Sequence, residues 1–303
     1  MNQPYSYLLF QMKSFFKILW IVFLFLFSLP SFADNAKEGM RLFEAGKYQQ
    51  AMTYFMKPDA QKNPDVLNHI GVMYKKGLGV AKNEQVGVKW YKKAADMGFK
   101  VAQYNLGSAY EKGLGVPKDI NKAIKWYRKS AEQGQASAES KMGYFTATGK
   151  GIKQDLTEAL RWYRLAAEHG DVSSYADIGI FYAKGYGVKK NKNRAVQYYI
   201  MGAEKGDPYA QYLLGRAYEQ GRGIKYSPER SLYWLEKAAA NGSALAMDEL
   251  VIVHANGLLN QTMDSEAARQ WAEKAIQRRK VTGETHPDID RRLRFFGVDV
   301  DNL

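Results

Sequence analysis

Apolar residues recur along this chain at helical spacing, in stripes separated by glycine. Ala102, Leu106, Ala109 and Tyr110 share one helical face, and Ala123, Trp126, Tyr127 and Ala131 make a second stripe. Between them stand Gly113 and Gly115. Glycine tolerates the left-handed conformation that ends a helix, so these two predict a turn, with Val116 tucking back towards the core. Gly134 ends the second helix in the same way. Just ahead of each second stripe lies Asn83, Asp119, Asp155, Asn191 or Ser227. All five are good N-cap types, whose side-chain oxygen accepts a hydrogen bond from a first-turn N–H left without a helical partner.

The whole arrangement repeats every 36 residues. Gly71, Gly107, Gly143, Gly179 and Gly215 keep that step, as do Gly77, Gly113, Gly149, Gly185, Gly221 and Gly257. The aromatic pair Trp90-Tyr91 returns as Trp126-Tyr127, Trp162-Tyr163 and Tyr198-Tyr199, and then as Trp234-Leu235. Residues 65–280 thus hold six units, the last eroded, with Val251 and Leu259 where glycines are due. A single helix pair cannot bury its apolar face, and stacking its neighbours does so. The predicted fold is all-α: an α/α superhelical solenoid of tandem helix–turn–helix repeats. The spacing of Trp90, Trp126, Trp162 and Trp234 predicts core residues facing the next unit. Residues 34–64 read as a degenerate N-terminal helix pair around Gly46. Residues 281–303 read as a polar, charged segment that caps the exposed end of the stack.

From Ala102 to Gly134 the residues follow the pattern A-x-x-x-L-G-x-x-Y-x-x-G-x-G-V, then D-x-x-x-A-x-x-W-Y-x-x-A-A-x-x-G. This resembles the Sel1-like repeat (SLR), a relative of the tetratricopeptide repeat (TPR), and the likeness recurs in register over most of the chain. The resemblance implies paired antiparallel helices in a right-handed superhelix that serves as a scaffold for protein–protein contacts. It implies no common catalytic residue.

Residues 1–33 are of another kind. They carry no acidic residue; Lys13 and Lys17 precede the greasy run Ile18 to Phe27, and Ser31 and Ala33 supply a small-x-small end. A basic start, an apolar stretch and such an end are the parts of a secretory signal peptide, with cleavage expected after Ala33. Starting from Met12 would make that signal more compact. The alternative is an uncleaved membrane anchor, although the apolar stretch is short for a span. Export places the chain in the periplasm or outside the cell. The net charge of +13 then points to acidic envelope polymers or acidic proteins, not to nucleic acid.

Few residues suggest chemistry. The chain has no cysteine, so disulfides, thiolate metal sites and a cysteine nucleophile are excluded. Its four histidines, His69, His169, His254 and His286, do not fall into a metal-ligand pattern. The Gly-x-Gly loops never continue into a dinucleotide fingerprint or a phosphate-binding P-loop, and their recurrence in every unit marks them as turns. No catalytic residue, cofactor or metal is predicted, and the protein is read as a non-enzyme.

The informative positions are those the repeat leaves variable. Core residues such as Leu106 and Tyr110 lie on one face of a first helix, so Tyr104 and Ser108 turn to the opposite one. Their equivalents are Asn68 and Val72, Ser140 and Tyr144, Ala176 and Ile180, and Tyr212 and Arg216. First helices line the concave surface in this architecture. Tyr104, Ser108, Tyr144, Ile180, Tyr212 and Arg216 are therefore the candidate partner-binding residues of a peptide groove. Packing between adjacent first helices is the competing explanation for the same residues. Second helices carry Lys89, Lys92, Lys93, Lys122, Lys125, Arg128 and Lys129, a basic face for solvent or an acidic partner. The expected function is an exported, non-catalytic adaptor that binds a protein or peptide in the bacterial envelope. The resemblance implies roles such as regulating an envelope enzyme or complex, or contacting a host. Two other readings stay open: a peptidoglycan- or glycan-binding module, and an envelope hydrolase with an unrecognised site.

Overall fold

The computed structural model describes residues 35–283, together with Arg291 and Arg294. The export segment lies outside the described residues, and so does nearly all of the C-terminal capping segment. The chain divides into two compact units that part after Asp119. In the first, α1 (Asn35–Glu44) and α2 (Tyr48–Phe55) form the N-terminal pair. They are followed by α3 (Pro64–Lys76), α4 (Glu84–Asp96) and α5 (Lys100–Lys112). The second unit begins with α6 (Ile120–Ala131), α7 (Ala136–Thr148), α8 (Leu156–Glu168), α9 (Ser174–Lys184) and α10 (Lys192–Glu204). It continues through α11 (Pro208–Gln220), α12 (Pro228–Ala240), α13 (Ala244–Asn256) and α14 (Ser265–Thr282). No strand occurs among the described residues. Within each unit a helix packs chiefly against its neighbours in the chain, which is how a helical solenoid is built.

The helix ends form where the sequence marks them. Asn83 accepts a hydrogen bond from the Val86 amide at 3.0 Å, and Asp155 from Glu158 at 2.9 Å. Asn191 accepts from Arg194 at 2.9 Å and Ser227 from Arg230 at 3.3 Å. The glycine after each first helix adopts the left-handed cap. The second glycine of the loop has a further role. At Gly79, φ is +66°, and a Cβ placed there would lie 2.6 Å from the Gln49 nitrogen in the first turn of α2. Gly115 meets Glu84 at the start of α4, and Gly223 meets Lys192 at the start of α10, in the same way. These loops thus rest their backbone on the N-terminus of the preceding second helix, and Gly151 rests instead on the side chains of Ile120 and Ile124.

Helices within a repeat approach through glycine on one side and a ring on the other. A Cβ on Gly71 would come within 2.6 Å of the Tyr91 ring, and one on Gly143 within 2.8 Å of the Tyr163 ring. The second residue of each pair is therefore the core residue: Tyr91, Tyr127, Tyr163, Tyr199 and Leu235 are all buried. This corrects the expectation for the tryptophans. Trp162 is buried, but Trp90, Trp126 and Trp234 are only half-buried. Cations lie over their outer faces, Lys93 at 4.0 Å from Trp90 and Lys129 at 4.6 Å from Trp126. Adjacent residues on a helix sit about 100° apart, so only one of the two rings can point squarely at the facing glycine.

Three carboxylates gather around the start of α9 and α11. Asp171 accepts from the Ser174 amide at 3.1 Å and from the Ser173 hydroxyl at 2.9 Å. Asp207 caps α11 by accepting from the Ala210 amide at 2.6 Å. Asp177 has no such compensation. Burial first, and then the charges of Asp171 and Asp207, push its pKa from 3.8 to about 7.

Two predictions follow from these contacts. Gly46 and Gly79 have similar φ values, +72° and +66°, but a Cβ on Gly46 would meet nothing within 4 Å. Alanine at either site should lose about 1–2 kcal/mol to the left-handed backbone. Gly79→Ala should lose on the order of 1–3 kcal/mol more through the collision with α2. Equal losses in urea unfolding would show that the loop does not bear on the helix. The second concerns Asp177, whose raised pKa means the folded state keeps a proton that the unfolded chain releases between about pH 4 and pH 7. Its contribution is intact below pH 4 and lost as the pH rises through 7. Asp177→Asn should match the wild type at pH 4 and exceed it at pH 8 by a few kcal/mol, on the order of 1.4 per pKa unit. A difference that is the same at both pH values would refute the assignment.

Candidate partner-binding cleft

The candidate residues form two rows along the first helices, and the structure treats the rows differently. In the row of Tyr104 and Tyr212, Asn68 and Ala176 are buried. Asn68 accepts a hydrogen bond from the Asn105 side chain at 2.8 Å. Tyr104 and Tyr212 are half-buried, and Tyr212 packs against the core formed by Leu235, Met247 and Leu250. At the end of this row Asp248 is buried and accepts two hydrogen bonds from Arg279 Nη1, at 2.9 and 3.0 Å. Packing between neighbouring elements thus accounts for most of this row. First helices touch one another directly, α3 with α5 and α9 with α11.

The other row is the accessible one. Ser108, Ile180 and Arg216 are half-buried, and Tyr144 is exposed at 43%, its ring set edge-on to Phe145 at 5.3 Å. Ile180 and Arg216 line one cleft of about 530 Å³ in the second unit. Helix α9 contributes Ile180, Ala183 and Lys184, and α10 contributes Lys192, Ala195 and Tyr199. Helix α11 adds Tyr209, Leu213, Arg216, Ala217 and Gln220. Lys190 and Arg222 come from the loops that follow α9 and α11. Tyr212 reaches the cleft only through Tyr209, whose ring stacks on it at 6.3 Å. Tyr144 is not part of its lining, and Tyr104 and Ser108 belong to the first unit.

Arg216 is tied down. Its Nη1 lies 2.6 Å from Glu249 Oε2 and its Nε 3.2 Å from Glu219 Oε2. Burial opposes the charge on this guanidinium, but the two carboxylates outweigh it and raise the pKa. Burial likewise raises the Tyr209 hydroxyl, with Asp177 and Asp207 adding to the effect. Among the described residues, no group of three or more histidine, aspartate or glutamate side chains could hold a metal ion. None of the described helices is long and apolar enough to cross a membrane.

Sequence reasoning missed Tyr209, Leu213 and the four outer cations, Lys184, Lys190, Lys192 and Arg222. A signal for part of this was present. Tyr209, Leu213 and Gln220 stand at i−7, i−3 and i+4 from Arg216, on the same helical stripe as that candidate residue. The basic run Lys189-Lys190-Asn191-Lys192 was also legible, but its approach to α11 depends on how the helices pack.

Other proteins show the same architecture. A Sel1 repeat protein from Oxalobacter formigenes is 54% identical, with a TM-score of 0.79 over 80% of this chain and 97% of its own. A protective antigen present in uropathogenic Escherichia coli strains, with an SLR fold, is 32% identical with a TM-score of 0.68. That match covers 80% of this chain and 53% of the antigen, so the chain spans about half of its length. An immunity protein from Pseudomonas aeruginosa, 18% identical with a TM-score of 0.51 over 76% of this chain and 86% of its own, shares the fold alone. No curated protein matches the chain. The Sel1 repeat model matches residues 64–99, 100–135, 136–171, 172–207, 208–243 and 246–279, in step with the helix pairs described above. The chain therefore belongs to the Sel1 repeat family, whose members generally act as non-catalytic scaffolds for protein–protein contacts.

Proposed function

We propose that this protein is an exported scaffold that captures a segment of a partner protein on the first-helix face of its second unit. The observation that carries this reading is the cleft beside Ile180 and Arg216. It joins buried core residues such as Tyr199 to Ile180, Tyr209 and Arg216, side chains that the buried core does not include. Tyr144 and Tyr209 add exposed aromatic surface, the residue type that dominates the energetics of protein interfaces. The Sel1 family supports a binding role and not a catalytic one. Export rests on the basic, greasy and small-x-small pattern of residues 1–33. The likeness to a protective antigen leans the same way, because an antigen that protects must be within reach of the host.

Two experiments test the two parts of the proposal. N-terminal sequencing of protein recovered from the cell envelope should begin at Asp34, and a chain retaining Lys13 in the inner membrane would mean an anchor instead. For capture, Tyr144→Ala combined with Tyr209→Ala should reduce crosslinking to the partner in native cells by at least tenfold, about 1.4 kcal/mol or more. The melting temperature should stay nearly constant, because both rings are exposed. The control reverses charge on α6, Lys125→Glu with Arg128→Glu. If the control abolishes capture and the tyrosine pair does not, the partner sits on the basic second-helix face.

A further inference from the structure

Four cations, Lys184, Lys190, Lys192 and Arg222, surround the cleft between α9, α10 and α11, and all four are exposed. None of them has a carboxylate of the described residues within ion-pair distance. Some other cations of the second unit do have a carboxylate partner. Arg161 pairs with Glu158 at 2.6 Å and Arg269 with Glu273 at 3.1 Å. Inside the cleft itself, Arg216 is held between Glu219 and Glu249. The Arg216 charge in the wall is thus matched, and exceeded, by its two carboxylates, whereas the rim cations have no such partner. Its floor is apolar, with Ile180, Leu213 and the ring of Tyr199 among its lining.

We infer that this cleft takes an acidic peptide segment that carries a large apolar side chain. The inference rests on the scaffold reading above and names the chemistry of its partner. Like charges gathered at one mouth repel each other, and an anionic ligand converts that repulsion into attraction and faster encounter. The apolar floor adds a second requirement, because covering it with a hydrophilic polymer would gain nothing from burial. A volume of about 530 Å³ lies within the range of pockets that enclose compact organic groups, and it far exceeds what a lone phosphate fills. Aspartate or glutamate on the rim, with a leucine or an aromatic side chain on the floor, satisfies both requirements within one short segment.

The test is selection from a random peptide display library on the purified protein. The affinity of the leading synthetic peptide is then measured by fluorescence anisotropy. Selected sequences should combine aspartate or glutamate with a large apolar residue. Raising the salt from low to molar concentration should weaken binding, since the charges are exposed. Lys190→Glu with Arg222→Glu should weaken it by about tenfold or more while leaving helicity unchanged. Replacing the apolar residue of the peptide with alanine should do the same.

Several outcomes would overturn the inference. They are no enriched sequence, a neutral or basic consensus, binding indifferent to the charge reversal, and displacement by inorganic phosphate or an anionic glycan as effective as by the peptide. If native-cell capture still depends on Tyr144 and Tyr209 while the consensus lacks acids, the scaffold reading stands and only the acidic chemistry falls. If capture is also absent, both fall.

Discussion

The contact on which the repeats depend is a backbone pressed against a backbone. The second glycine of four loops lies on the N-terminal turn of the preceding second helix, as Gly79 lies on Tyr48 and Gln49 and Gly187 on Leu156 and Thr157, while Gly151 meets the side chains of Ile120 and Ile124 there. Two constraints meet at that residue. Its φ is positive, which disfavours side chains, and any Cβ would enter the neighbouring helix. Stacking at this distance lets each repeat cover the apolar face of the one before it, and a pair of short helices cannot do that alone.

The last repeat shows what happens when the glycine is lost. Leu259 stands in its place with φ of +53° and is followed by Asn260 with φ of +63°. Leu259 is buried, so the strain of a left-handed leucine is offset by apolar contact with the α12–α14 core. Asn260 restores the link to the preceding second helix through its side chain, donating to Glu229 Oε1 at 2.9 Å in the first turn of α12. In the same repeat Asp248, at the place of Tyr212 and Ala176 in earlier repeats, forms a buried ion pair with Arg279. A buried pair of this kind adds little net stability but penalises misalignment, since separating it would leave a charge in an apolar setting.

Polar ladders run beside the core in the second unit. Glu139 is buried and bonded to His169 at 2.8 Å. Two repeats further on, Gln211 donates to the Ala203 carbonyl at 3.0 Å and accepts from Asn241 at 2.9 Å. The same two places in the repeat thus hold an acid–imidazole pair and an amide pair. In these two repeats hydrogen-bond complementarity is kept while the residue types change, and the repeat between them has Tyr175 and Lys205 instead. This tolerance is what allows one scaffold to vary its surface, and hence its partner, without losing its stack.

Local rules were enough to read the helices, caps and turns from the chain. The 36-residue step of Gly77, Gly113 and Gly149 marks the left-handed caps, and Asn83, Asp155, Asn191 and Ser227 mark the helix starts, because each depends on a few adjacent residues. The row of Ile180 and Arg216 was legible too, as positions turned away from the core. Tertiary packing decided the rest. Helical spacing places Trp90 and Tyr91 side by side and cannot say which of them faces the glycine opposite. It cannot separate Ala176, buried against the next first helix, from Ile180, one turn further on and open to the cleft. The cleft draws Lys184, Lys190, Lys192 and Arg222 from two helices and two loops. Their joint field exists only once α9, α10 and α11 are packed, because charge adds up in space and not along the sequence.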